Sequence, residues 1–164
     1  MNNPRYLDKC GFTLLELVLV LFLIGLISGL VLPFVVSTLD RVKLQSEARQ
    51  ITSALQFARS EAITKKTLLT FNANIEKNEY WLAIPKDNEV TQSKSLNEPA
   101  KIKEYQGKEE IISNGTFKIN FYPRGNSSAG TIHLQSSINE SEAPVYAIII
   151  DPITGKPTIK LMEE

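Results

Sequence analysis

Apolar and polar positions divide the chain into three zones. The first runs from Phe12 to Val36, 25 positions with a single charge, Glu16. At about 1.5 Å per residue a helix of that length reaches roughly 37 Å, more than the ≈30 Å hydrocarbon core of a bilayer. A helix buried in a globule would keep a polar face, and this run has none. A cleaved secretory signal fits poorly, because its apolar region spans about 7–15 residues and ends in a small-x-small site. Cys10 is no lipoprotein cysteine either, since Asp8 and Lys9 precede it and the hydrophobic stretch follows it. Residues 12–36 therefore read as a membrane-spanning helix.

The second zone continues without a break. Thr38 to Lys66 contains no Pro or Gly, and Leu44, Ala48, Ile51, Leu55, Ala58 and Ala62 recur at spacings of three and four. That spacing is one helical face. Arg41, Gln45, Arg49, Gln56 and Lys66 lie mostly elsewhere on the wheel. The pattern predicts one long helix from near Phe12 to near Lys66, amphipathic over 37–66. Pro33 removes one backbone donor on the way, and Gly25 and Gly29 weaken the helix before it.

The third zone, 67–164, alternates short β-branched or aromatic runs with turn residues. Strands are predicted at Leu68–Asn72, Glu79–Ile84, Thr116–Tyr122, Gly130–Leu134, Val145–Ile150 and Thr158–Leu161. Asn78, Pro85, Asn114-Gly115, Pro123 to Asn126, Pro144 and Thr154-Gly155 punctuate them. The polar stretch Lys86–Ala100 reads as a long loop. The expected fold is α+β: a long N-terminal helix whose second half packs on a small, mostly antiparallel sheet.

Charge then orients the chain. Arg5 and Lys9 flank the apolar run, so the N-terminus stays cytoplasmic and everything past Val36 is exported. The whole chain of 164 residues is neutral, with 18 Lys+Arg and 18 Asp+Glu. Cys10 is the only cysteine and His133 the only histidine, which excludes a disulfide scaffold and a Cys- or His-based zinc site. His133 alternates with apolar neighbours and reads as a surface or packing residue. Neither a Gly-rich phosphate loop nor a Gly-x-Ser-x-Gly elbow occurs. The adjacent pairs Glu109-Glu110 and Glu163-Glu164 would point to opposite faces of a strand. No enzyme, cofactor or metal is expected.

Glu16 needs a reason. A carboxylate at the centre of a membrane helix costs about 2.5–3.5 kcal/mol on insertion scales. Either it snorkels at the membrane edge, or it pairs with a cation made later, such as an α-amine freed by cleavage beside Phe12. Gly25 and Gly29 form a small-xxx-small pattern that lets another helix approach. Arg59 and Glu61 read as the solvated end of the helix.

Lys9-Cys10-Gly11-Phe12-Thr13-Leu14-Leu15-Glu16-Leu17 resembles the class III signal of type IV pilins and pseudopilins. Three later stretches resemble the GspH/FimT class of minor pseudopilins and pilins: Leu55 to Ile63; Phe121 to Gly125 with Gly130 to Ile132; and Tyr146 to Asp151 with Thr154-Gly155-Lys156. The resemblance implies a leader, 1–11, removed after Gly11 by a prepilin peptidase that N-methylates Phe12. It further implies that Glu16, Gly25, Gly29 and Pro33 serve filament assembly, Glu16 by pairing with a neighbour's Phe12 amine. The implied product is a structural subunit near the tip of a type II secretion pseudopilus, anchored in the bacterial inner membrane by a single pass with a periplasmic 67–164 domain. Its implied partners are other pseudopilins or pilins, the peptidase and secreted cargo. A minor pilin of a type IV pilus is the alternative, including one used in DNA uptake. Some members carry a basic Gly-Arg-x-Arg motif, where this chain reads Gly155-Lys156-Pro157-Thr158, leaving Lys156 and Lys160 as the candidate DNA contacts. Residues 67–164 hold ten Lys+Arg against thirteen Asp+Glu, a net of −3. That is a poor footprint for nucleic acid.

Overall fold

The computed structural model describes residues 12–85, 89–138 and 144–162, with only the backbone described at 30–38 and 89–92. One helix, α1 (Leu14–Thr64), is followed by nine strands. By its contacts the chain divides between Thr38 and Leu39 into two compact units.

The first unit is helical from Leu14. Thr13 caps it: the Glu16 N–H donates to Thr13 Oγ1 at 3.2 Å, and Leu17 N–H reaches the Thr13 carbonyl at 3.2 Å. Thr13-x-x-Glu16 is a capping-box sequence, in which the Ser/Thr oxygen satisfies an orphan N–H of the first turn. Every described side chain from Phe12 to Gly29 is exposed. The described apolar part of the helix, Leu14 to Gly29, spans about 24 Å at 1.5 Å per residue. Among the described residues no helix is long and apolar enough to cross a membrane.

The second unit holds the core. The predicted helix face is the one that is buried: Leu44, Ala48, Ile51, Leu55, Ala58 and Ala62 are each at most 1% exposed. The helix ends because Lys66 turns left-handed (φ 50°), with Thr67 N–H bonded to the Ala62 carbonyl and Lys66 N–H to that of Ile63. Those two bonds make a Schellman cap.

Two antiparallel sheets, not one, cover that face. Strands β1 (Leu69–Asn74), β2 (Glu79–Ile84), β3 (Glu89–Ser95) and β6 (Thr116–Phe121) form a four-stranded sheet in the order β3-β2-β1-β6. Strands β4 (Ala100–Gln106), β5 (Ile111–Ile112), β7 (Gly130–Ser136), β8 (Val145–Ile150) and β9 (Pro157–Met162) form a five-stranded sheet in the order β5-β4-β7-β8-β9. Alternation puts Phe71, Leu82 and Ile119 of the first sheet and Ile132, Leu134 and Ile148 of the second into one core with the helix.

The expected loop Lys86–Ala100 contains β3 instead. This strand is an edge, and an edge strand can stay polar because it need not fill a core. β4 was also absent from the sequence pattern, for a different reason. A bulge between Ile102 and Glu104 shifts its register, so the buried positions fall at Ala100, Ile102 and Tyr105 and break the two-residue period.

Candidate functional site

Three of the sequence stretches singled out above converge on the end of the helix. Arg59, on the last turns of α1, donates from Nε to the Thr154 carbonyl at 2.6 Å and to the Gly125 carbonyl at 3.3 Å. One carbonyl belongs to the turn after β6 and the other to the turn between β8 and β9. Arg59 is therefore a clasp between helix and both turns, which corrects its reading as a solvated residue. Glu61 does face solvent on one side, paired with Lys65 at 2.9 Å.

The two turns are built for this approach. Gly155 has φ +63°, and a Cβ there would collide with the Gly125 carbonyl oxygen. Asp151 shapes the second turn, its Oδ1 accepting from the Thr154 N–H (2.6 Å), the Thr154 hydroxyl (2.9 Å) and the Ile153 N–H (3.0 Å). The Thr154 backbone bond chiefly, then its hydroxyl and the Ile153 N–H, hold the carboxyl below its ordinary range. Ser127 ties the turns together, with its N–H on the Pro152 carbonyl (3.1 Å) and its hydroxyl on that of Asp151 (3.0 Å).

A second polar group, missed in the sequence, lies farther up the helix. Glu47 is 4% exposed, and its Oε1 accepts from Asn97 Nδ2 (2.8 Å) and Gln50 Nε2 (3.2 Å). Lys94 of β3 bonds the Gln50 amide oxygen, so the network fastens the polar edge strand to the helix. Tyr80 lies beside it, its phenol pushed up by burial and then by the Glu47 charge. A buried Glu at an i−1 position to Ala48 carries no sequence signal of its own.

The other predicted positions fall as follows. Gly11 and the 1–11 leader lie outside the described residues, as do Cys10, Glu163 and Glu164. Phe12 is the first described residue and is 82% exposed. Gly25 and Gly29 face open space, with nothing within 4 Å of a Cβ at either. α1 passes through Pro33, of whose ring nothing is described. Glu16 has no ion pair among the described residues. Lys156 follows the Asp151 turn, and Lys160 sits on β9 opposite Ala147. Four residues of extended chain hold them about 13 Å apart, so they form no cluster. His133 pairs across strands with Glu104, Nδ1 to Oε1 at 2.9 Å.

A capped, outward-facing apolar helix that continues into a helix–sheet core defines a type IV pilin-like protein, and solved structures of that class share the fold. The chain is similar to the type IV minor pilin FimU of Pseudomonas aeruginosa, at 17% identity and TM-score 0.52, over 76% of this chain and 91% of that one. It is also similar to the minor pseudopilin EpsH of the Vibrio cholerae type 2 secretion system, at 12% identity and TM-score 0.55, over 73% and 96%. Among curated protein sequences none matches this chain. Residues 7–32 match the prokaryotic N-terminal methylation motif. Residues 47–154 match the type II transport protein GspH family, and the chain belongs to that family.

Proposed function

We propose that the chain is a minor pseudopilin, a structural subunit near the tip of a type II secretion pseudopilus that helps the filament start and export protein. The observation that carries this reading is the exposed helix. From Phe12 to Gly29 no described side chain is buried, although all but a few are apolar. Such a surface is stable only inside a bilayer or among the same helices of other subunits. The chain would sit in the bacterial inner membrane by a single pass over residues 12–36, with its N-terminus cytoplasmic and the domain 67–164 periplasmic.

Cleavage after Gly11 would leave Phe12 as an N-methylated terminus four residues before Glu16. In a neighbouring subunit that amine neutralises the Glu16 carboxylate within the helix bundle. Gly25, Gly29 and Pro33 would then serve close helix packing. The capping role of Thr13 does not conflict with this, because it uses the Glu16 backbone and leaves the carboxylate free.

Deleting the gene and measuring exported protein and surface pili tests the reading. Loss of export with pili intact supports the secretion subunit; loss of pili with export intact selects the minor pilin instead. Glu16→Ala should insert in the membrane yet co-purify with fewer partner subunits, and unchanged co-purification would sink the amine pairing.

A further inference from the structure

Among the turn signals in the sequence, Asn114-Gly115 carries a chemistry of its own. An asparagine followed by glycine can cyclise, because the unhindered glycine nitrogen reaches the side-chain carboxamide carbon. The reaction needs a carboxamide free to turn, a following N–H that is not engaged, and room for the ring.

The described asparagines differ in these respects. Asn72, Asn74, Asn78, Asn97 and Asn120 each hold their carboxamide in a hydrogen bond. Asn126 has its Oδ1 buried, and the N–H that follows it, that of Ser127, is engaged by the Pro152 carbonyl at 3.1 Å. Asn114 is exposed, and among the described residues neither its carboxamide nor the Gly115 N–H makes a hydrogen bond. Gly115 has φ +75°, and a Cβ there would meet nothing within 4 Å, so a ring has space.

The topology accounts for this freedom. In a two-residue hairpin, an Asn-Gly pair is held by the ladder on either side. Here β5 and β6 flank the pair but belong to different sheets, so no ladder closes over it. The Ile75 N–H does bond the Gly115 carbonyl at 2.9 Å, which fixes the oxygen and leaves the nitrogen available.

We propose that Asn114 is a site of spontaneous deamidation in the folded protein. The Gly115 nitrogen loses its proton to water and bonds to Asn114 Cγ, and the carboxamide nitrogen leaves as ammonia. Water then opens the succinimide and restores the Gly115 N–H, so the net change is amide and water to carboxylic acid and ammonia. Opening at the side-chain carbonyl gives aspartate. Opening at the main-chain carbonyl gives isoaspartate, whose backbone runs through the side-chain carbon. Asn114 lines a cleft with Glu76, Glu98, Lys101 and Lys103, where two carboxylates balance two cations. The new carboxylate tips that balance negative. In the isoaspartyl form the Gly115 carbonyl is also displaced from Ile75, which loosens the turn between β1 and β2.

The test incubates the full chain in detergent micelles in warm, mildly alkaline buffer, beside capped synthetic peptides of residues 112–118 and 124–130. Peptide mass spectrometry with electron-transfer fragmentation reads deamidation and separates aspartate from isoaspartate. Misplacing reacting atoms by an ångström costs about a hundredfold in rate, so an unrestrained Asn114 should react in the folded chain within about tenfold of its peptide. Asn126 should fall well behind its own peptide, which shows that the fold is intact during the incubation. Asn114→Gln should leave the site unmodified, because the longer side chain must close a larger and slower ring. The Ile75 amide should exchange faster in the isoaspartyl fraction than in the parent chain. An Asn114 slowed by folding as much as Asn126 overturns the proposal, and an unchanged Ile75 amide overturns its consequence for the turn.

Discussion

Arg59 Nε lies 2.6 Å from the Thr154 carbonyl oxygen, 95 residues away in sequence. With its longer bond to Gly125 it joins the end of the helix to the turns that close both sheets. Hydrogen bonds from a charged donor are worth about 1.5–3 kcal/mol, and partial exposure lowers that here. Arg59→Ala should cost about 1–2 kcal/mol in urea unfolding. Arg49→Ala, on the exposed side of the same helix, should stay within about 0.5 kcal/mol. Equal effects for the two would remove the clasp.

Gly155→Ala should be worse than Arg59→Ala. The new methyl meets the Gly125 carbonyl, and the backbone sits at φ +63°, which side chains disfavour. A loss of more than about 2 kcal/mol is expected, read as a lower thermal midpoint. A neutral substitution would mean that the two turns can part without cost.

Asp151 makes stability pH-dependent with a definite sign. Its folded pKa is lowered, so the unfolded chain binds the proton more tightly. The contribution is present above the unfolded carboxylate range and fades as pH falls below about 4. Asp151→Asn should therefore unfold more easily than the parent chain near neutrality, with the gap narrowing in acid. Urea midpoints of both proteins across that range check it, and a gap that widens in acid would contradict the assignment.

Much of the fold is legible in sequence because packing follows the helical period directly. Leu44 to Ala62 at three- and four-residue steps are the core face, and no residue of that face is misplaced. The Thr13 cap was not read from the sequence, where Glu16 figures only for its charge; it emerges from the bond between the Glu16 N–H and Thr13 Oγ1. What else was not legible depends on partners distant in the chain. The polar run Glu89–Ser95 is a strand only because β2 offers it an edge. Arg59 looks like any solvated arginine until the chain returns with Gly125 and Thr154. The bulge at Ile102 hides β4 by the same logic, since register is a property of two strands and not of one.

Binding to DNA should be weak. Lys156 and Lys160 stand apart on the turn and strand, and residues 67–164 carry a net −3. Titration against labelled duplex at about 150 mM salt should show little binding, and what appears at low salt should fall steeply as salt rises. Tight binding abolished by Lys156→Ala or Lys160→Ala would favour a DNA-uptake pilin.

If residues 12–36 serve a filament once the leader is removed, as proposed, the N-terminus of the protein from cell membranes carries the mark of that processing. Intact-mass and N-terminal peptide mass spectrometry should find a chain beginning at Phe12 and carrying one added methyl group, with Met1 to Gly11 gone. A chain that still begins at Met1, from cells whose prepilin peptidase processes other subunits, would contradict it.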